Sequence, residues 1–519
     1  MGVIFSRLTG LIRLAAVAAA IGVAESRLAD SYNLANTMPN IIYELILGGL
    51  LSSVLVPVLV ELFERKTPEE AWRSASNLIN TAIVLLAITT VIGILAAPWI
   101  ASFYASRLSG AEAALQHRAI TFLLRLFIPQ VIFYGIAAIT TALLHAHRRF
   151  GLPMLSSVLG NIVVIGVFVV FRRVYGAVDL DASRMELLVI GLGTTAGIAF
   201  TAFSQVAFAG FLRNYRFTMS IKDPLIGRVL RLSSYVIGFV LVNHLGYLFI
   251  QWLANEQQGG FSGYIAAYTF FLVPIGLVGF SMGTALVPDM SSQALSQNWD
   301  DFKGRLTTAI RVMVFFLVPA AVGFVVLGRP LLEVSLEHGI TTEGSVELVS
   351  EILTLMALGL PQVAIFSLFV RSFYSMQETR TPFIVMLAMV IVHSAINIPL
   401  FEALGVGGLA LGQAIVNTVA VFVLARLLAR RIGALDGRRI GVTAVRVAVA
   451  AAVMGGVVWV AERGVRDVLA AERFIDELAI LGAGTIVGGA LYLAMARALR
   501  LEELEYVRRL FGLLRGRAS

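Results

Sequence analysis

Long apolar stretches recur along the whole chain, and they constrain it more than any other feature. A run of more than about 18 apolar residues can cross a bilayer as a helix. Fourteen such runs are legible: 3–24, 31–62, 74–104, 118–144, 151–173, 186–212, 227–254, 261–288, 306–334, 348–376, 382–402, 405–429, 441–462 and 477–498. Hydrophobic residues make up 58% of the chain and charged residues 14%, where a soluble domain carries about 25% charged. The expectation is an all-α polytopic membrane protein of about 14 transmembrane helices.

Several function classes drop out. The net charge of +8 is spread over short loops and forms no single basic patch, so it does not point to nucleic acid. There is no cysteine, which removes disulfides, thiol catalysis and thiolate metal sites. No phosphate-binding glycine motif, zinc spacing or nucleophile elbow is present, so neither an enzyme nor a cofactor is expected. Arg13 interrupts the first apolar run, which therefore reads as a retained helix and not a signal peptide.

The loops assign an orientation. With the N-terminus inside, the inner loops hold Arg65, Lys66, Arg73, Arg148, Arg149, Arg213, Arg216, Lys222, Lys303, Arg305, Arg380, Arg430, Arg431, Arg438 and Arg439. The tail adds Arg500, Arg508, Arg509, Arg515 and Arg517, and its last four read as an anionic-lipid-facing segment. The opposite loop near 333–347 carries the acids Glu333, Glu337, Glu343 and Glu347. Basic residues favour the cytoplasmic side, so both termini are expected there.

Prolines reveal a repeat. Pro57, Pro98 and Pro129 recur as Pro288, Pro330 and Pro361, at offsets of 231, 232 and 232. Leu55-Val56-Pro57 matches Leu286-Val287-Pro288, and Pro129-Gln130-Val131 matches Pro361-Gln362-Val363. Six helices lie in each copy, so the copies are parallel repeats with a central site between them. The expected division is an N-terminal lobe at 1–216 (helices one to six), a C-terminal lobe at 217–432 (helices seven to twelve), and 433–519 with helices thirteen and fourteen and the basic tail.

Arg7, Arg13, Asp30 and Glu44 lie in and around the first two apolar runs. A charge at the bilayer centre costs at least a few kcal/mol, so such groups face a protein interior or a watered cavity. A polar cavity suits a carrier of something polar. The alternatives at each position are structural: an interfacial anchor for Arg7, a helix cap for Asp30, and an ion pair with Arg13 for Glu44. His244 and His393 read as interhelical hydrogen-bonders.

Ser6-Arg7-Leu8 with Gly10 and Arg13, Ala29-Asp30, Met38-Pro39-Asn40, Val56-Pro57 and Glu61 together resemble the N-terminus of the MurJ/MviN lipid II flippases. Phe373-Tyr374-Ser375 with Thr381-Pro382, and Gly405-Val406-Gly407-Gly408-Leu409-Ala410-Leu411, resemble later motifs of that family. The resemblance implies two six-helix lobes around a central cavity, with two further helices forming a groove for a lipid tail. It also implies transport of an undecaprenyl-pyrophosphate-linked peptidoglycan precursor to the outer leaflet of the inner membrane. The implied partners are that lipid-linked precursor, membrane lipids and cell-wall synthesis proteins.

Residue by residue, the family's first-helix arginines fall on Arg7 and Arg13 and its second-helix aspartate on Asp30. Tyr43 and Glu44 replace one further cavity arginine, and Thr269 another. Arg125 and Arg371 are additional candidates for a pyrophosphate, which arginine can hold bidentately. Asp30 and Glu44 would compete with substrate for the arginines. The sodium-site positions of some members fall on His393, Asn397 and Gln413, where no carboxylate remains, so no sodium dependence is expected. A flippase for another polyprenyl-linked glycan, a drug exporter of the same superfamily, and a non-transporting cell-wall scaffold are the alternatives.

Overall fold

A computed structural model describes residues 2–48, 55–149, 151–210, 215–218, 220, 224–469 and 474–505. Arg213, Lys222, Arg508, Arg509, Arg515 and Arg517 lie outside the described residues. The described chain is all helical, with no strand. Among the described residues nine helices are long and apolar enough to cross a membrane, and ten if a pair bent by 49°, Glu343–Ala357 with Leu360–Ser375, is counted as one span. On these helices Val84, Ile88, Val91 and Leu95, among many others, are exposed. Such faces suit contact with lipid chains.

Cap chemistry sets where the helices begin. Helix α1 is Gly2–Ile21 and α2 is Arg27–Tyr43. Ser26 opens α2, its hydroxyl accepting from Leu28 N at 3.2 Å, as expected of an N-cap. Pro39 lies inside α2, which passes into a π-helical turn at Glu44–Gly48. The helix α3 follows at Val56–Arg65 and α4 at Pro68–Ala105. Thr67 caps α4, with Pro68 at its first position and Glu69 and Glu70 in its first turn, where missing N–H groups and negative charge are both tolerated. The next helices are α5 (Gly110–Phe127), α6 (Gln130–Ala146), α7 (Gly151–Tyr175) and α8 (Arg184–Ala209). α7 and α8 approach through small residues. A Cβ on Gly160 would lie 1.9 Å from Thr201 Oγ1 and 2.8 Å from the Gly197 carbonyl, so only glycine allows this approach.

Pro224–Ala254 forms α9, Gly260–Pro274 α10, Ser281–Leu295 α11 and Trp299–Leu336 α12. A second π turn, Ile275–Phe280, follows α10. The bent pair is α13 and α14. The helix α15 runs Arg380–Ile432 but breaks at Gly405, whose φ of 56° and ψ of −143° suit glycine alone. The break falls between two of the sequence's apolar runs, 382–402 and 405–429. The last helices are α16 (Gly437–Leu469) and α17 (Phe474–Ala498).

Two compact units result. One holds residues 1–263 and 338–345; the other holds 264–337 and 346–519. The repeat boundary near 216 concerns duplication and this division concerns contacts, so the two need not coincide. In the first unit, 338–345 is tied to the end of α1. Thr341 Oγ1 donates to the Ala18 carbonyl at 2.8 Å, and Ile340 N to the Ala19 carbonyl at 3.2 Å. Glu25 completes the tie, accepting from Thr342 N at 2.6 Å and Ser345 Oγ at 2.7 Å. In the second unit, α12 packs against α16 and α17. Arg466 fastens that packing by donating to Glu333 at 2.7 Å and Glu477 at 3.0 Å, with Glu462 alongside.

Candidate functional site

Arg13 sits one turn beyond Thr9 on the face of α1 that meets α7. Its Nη1 donates to Asn161 Oδ1 at 3.4 Å, and Asn161 Nδ2 donates to Thr9 Oγ1 at 3.1 Å. Ser6 and Ser157 hydroxyls meet at 3.4 Å further along the same seam. Every partner is neutral. No carboxylate lies within ion-pair distance of Arg13 among the described residues. Arg7, nearer the start of α1, has an exposed side chain.

Glu44 begins the first π turn. The sequence suggested a pair with Arg13; the structure replaces it. Glu44 Oε2 is 2.9 Å from His244 Nε2 on α9, and Oε1 accepts from Asn40 Nδ2 at 3.3 Å. A π turn inserts one extra residue and turns the following side chains, a rotation that apolar periodicity does not report. Beside it Tyr43 and Tyr134 stack, with ring centroids 5.6 Å apart. Arg13 and Glu44 both lie within electrostatic reach of the Tyr134 hydroxyl. The first unit thus brings together Arg13, Glu44, His244 and two tyrosines.

For Asp30 the structure takes the second of its two sequence readings, a helix cap, and not that of a cavity carboxylate competing for arginine. Its carboxylate is fully buried and holds the N-terminus of α10. Oδ2 accepts from Gly259 N at 2.7 Å, and Oδ1 from Ser262 N and Ser262 Oγ, both at 2.9 Å. Three donors satisfy it, and the first-turn amides of a helix favour an anion. Arg27, one turn earlier, gives no site signal in sequence, where it reads as a loop cation. It is 7% exposed and donates to Glu112 at 2.7 Å, the Asn255 carbonyl at 2.7 Å and the Glu256 carbonyl at 3.0 Å. The pair Arg27 and Asp30 therefore builds the turn 255–262 onto α2.

Two further candidate cations sit on α5 and α14. Arg125 is exposed in the last turn of α5. Arg371 on α14 is half-buried against α11, its guanidinium 2.8 Å from where a Cβ on Gly283 would stand. At the ion-site positions, Asn397 is fully buried with neither side-chain polar atom hydrogen-bonded, and His393 Nε2 is also without a partner. The Gln413 carbonyl accepts from Asn417 Nδ2 at 2.8 Å. No cluster of three histidine, aspartate or glutamate side chains suited to a metal occurs among the described residues.

Residues 17–495 match the family described as lipid II flippase MurJ. A protein of Rhizobium meliloti (strain 1021), named probable lipid II flippase MurJ, is 25% identical over 511 residues, covering 97% of this chain and 93% of that protein. A Vibrio cholerae serotype O1 protein of the same name is 27% identical over 388 residues, 73% of this chain and 72% of that one. Among solved structures, lipid II flippase MurJ in an inward closed conformation superposes with a TM-score of 0.76 at 21% identity, covering 98% of both chains. An inward-facing MATE family multidrug resistance transporter gives 0.67 at 15% identity, over 82% of this chain and 95% of that one. These two likenesses concern the fold.

Proposed function

We propose that this chain, which belongs to the lipid II flippase MurJ family, moves an undecaprenyl-pyrophosphate-linked peptidoglycan precursor from the inner to the outer leaflet of the cytoplasmic membrane by alternating access. It is a multi-pass inner-membrane transporter whose substrate is a lipid-linked precursor. The observation that carries the mechanism is Arg13. An intramembrane cation with only neutral partners needs an anion to justify its burial, and a pyrophosphate supplies one. Arg7 would extend the grip toward the start of α1. Arg125 and Arg371 are further cations for the headgroup along its path. Glu44, held by His244, leaves Arg13 open to substrate.

Both termini face the cytoplasm in this reading, with 338–345 outside. Cysteine placed at Glu343 should then react with an impermeant reagent in intact cells, and one at Arg438 should not; the reverse pattern would invert the topology. Cell-wall synthesis proteins are proposed as neighbours because they consume the flipped precursor.

Complementation of a bacterium depleted of its lipid II flippase tests the reading. Wild type should restore growth, Arg13→Ala should not, and Arg13→Lys should do so in part because a bidentate fork is lost. Membrane insertion should be equal in all three. Tyr43 with Glu44, and Thr269, stand where two further cavity arginines are expected. Those replacements favour a second reading, a flippase for another polyprenyl-linked glycan or a drug exporter. Failure of the wild type to complement, while it exports such a substrate, would select it.

A further inference from the structure

The helices beyond the repeat end in a charged pocket that neither the repeat nor the transport reading uses. Helix α17 stops at Ala498, and Arg500 takes a left-handed φ of 54°. Leu501 N donates back to the Ala496 carbonyl at 2.9 Å, which reverses the chain. The reversal delivers Glu502 and Glu503 to α12 and α16. Arg311 of α12, 7% exposed, meets Glu503 at 2.6 Å and Glu502 at 2.9 Å. Glu502 also meets Arg439 at 2.8 Å, and Glu503 accepts from Thr443 Oγ1 at 3.3 Å.

These contacts occupy both glutamates with two arginines. Three more arginines, Arg438, Arg446 and Arg500, line the same pocket, and none has a carboxylate partner among the described residues. Asp436 is the third acid there, and it accepts from Arg439 N at 2.9 Å as the cap of α16. Five arginines therefore face three carboxylates, each already holding at least one donor, while the buried Glu503 Oε2 has no partner among the described residues. The cavity measures about 250 Å³, room for several waters at about 30 Å³ each, or for one phosphate with its glycerol. Its wall includes Val442, which begins an exposed valine row continuing through Val445, Val449 and Val453 along α16. A cationic pocket at the head of an apolar stripe matches the shape of a phospholipid: phosphate in the pocket, acyl chain on the valines.

We propose that this pocket binds the phosphodiester of an anionic phospholipid, with Arg438, Arg446 and Arg500 as the cations that hold it. The topology above places it at the inner leaflet, where anionic lipid attracts basic residues. Binding itself does not depend on the transport reading, and the test requires no transport.

The full chain is reconstituted in nanodiscs of phosphatidylcholine alone or with phosphatidylglycerol. Retained lipid is read by native mass spectrometry, and stability by thermal unfolding. Wild type should retain phosphatidylglycerol and unfold at a higher temperature in its presence. A juxtamembrane cation changes binding about fivefold, so Arg438→Gln with Arg446→Gln should bind roughly thirtyfold more weakly. Arg500→Gly should bind roughly fivefold more weakly while suiting the left-handed position, which keeps the test valid should the double variant misfold. Arg430→Gln, an equal loss of charge outside the pocket, should bind as wild type does. Undiminished phosphatidylglycerol binding in the pocket variants would overturn the site, as would an equal loss in Arg430→Gln. Equal stabilisation by soluble glycerol phosphate in phosphatidylcholine discs would overturn the lipid as its source.

Discussion

The two copies of the repeat share a skeleton and divide the chemistry. Helices α4 and α12 are both 38 residues long, and both ends are displaced by 231 (68 to 299, 105 to 336). Each opens on a side-chain cap followed by two acids, Thr67 with Glu69 and Glu70, and Asn298 with Asp300 and Asp301. The π turns start at Glu44 and Ile275, again 231 apart. At the same shift, however, Arg13 falls on His244 and Glu44 on Ile275. Caps, prolines and breaks set the frame, so they persist in both copies. Intramembrane charge is costly wherever it has no task, and here the arginine and the acid stand in one copy. The histidine that replaces the arginine in the other copy is the partner of Glu44, which leaves Arg13 without a carboxylate partner among the described residues.

Making the copies alike at that point should have the largest effect. Arg13→His places in the first copy what the second already has. Truncating one member of a buried charged contact costs roughly 30-fold or more, so headgroup transport in proteoliposomes should fall at least that far. Activity within a factor of three of wild type would mean that the asymmetry between copies is incidental.

The next contrast lies at the far ends of α4 and α12. Glu333 corresponds to Ser102, 231 residues earlier. Ser102 only returns its hydroxyl to the Pro98 carbonyl at 2.9 Å, whereas Glu333 binds Arg466 in the cluster that grips α16 and α17. Removing Arg466 leaves three carboxylates crowded together. Arg466→Ala should therefore lower unfolding stability in detergent by about 3 kcal/mol. Ser102→Ala should stay within about 0.5 kcal/mol. Similar costs at the two positions would show that the second copy gains nothing from carrying the extra helices.

The frame was legible in sequence because its determinants are local or periodic. Three proline offsets announced the duplication, and apolar runs marked most spans. The partners of the charges were not legible. Glu44 meets a histidine 200 residues away, and Asp30 caps a helix whose first turn lies 229 to 232 residues on. Arg466 gathers acids from three helices. Nothing in the spacing of these residues distinguishes a cavity carboxylate from a cap, since both are single acids beside an apolar run. Only the tertiary fold shows that three donors already surround Asp30.

A smaller effect is expected where the copies exchange contacts. Glu25 corresponds to Glu256, and Arg107 to His338, both at 231. Glu256 pairs with Arg107 of the first copy, while Glu25 takes its donors from Thr342 and Ser345 of the second. Burial alone would raise the Glu25 carboxyl, but the donors from Thr342, Ser345 and Val23 hold it below its ordinary value of 4.5. A depressed carboxyl stabilises the fold above its ordinary value and loses that contribution as pH falls through and below it. Thermal stability should thus decline on acidification below about pH 4.5, and Glu25→Gln should flatten part of that decline. Glu256→Gln, losing a partly exposed pair, should cost less than about 1 kcal/mol at neutral pH. An acid profile unchanged in Glu25→Gln would remove Glu25 from the latch.

The smallest effect expected is none. Asn397 carries two unpaired polar atoms in a fully buried side chain, and His393 has an unpaired Nε2. A buried orphan costs about 1–3 kcal/mol, so this place invites a bound water or a cation. A sodium ion wants several oxygen ligands and commonly a charged one. The positions expected to supply them offer one histidine and two neutral amides, Asn397 and Gln413, and no carboxylate. A neutral water satisfies a neutral amide without requiring a carboxylate. Replacing sodium by potassium at fixed membrane potential should therefore leave both transport and unfolding temperature unchanged. Asn397→Leu should not lower stability by more than a change of shape would, since the orphaned amide leaves with its cost. Sodium-dependent stabilisation that disappears in Asn397→Ala would show that this site holds the ion without a carboxylate, and the comparison between the copies would then have to include an ion bound in the second.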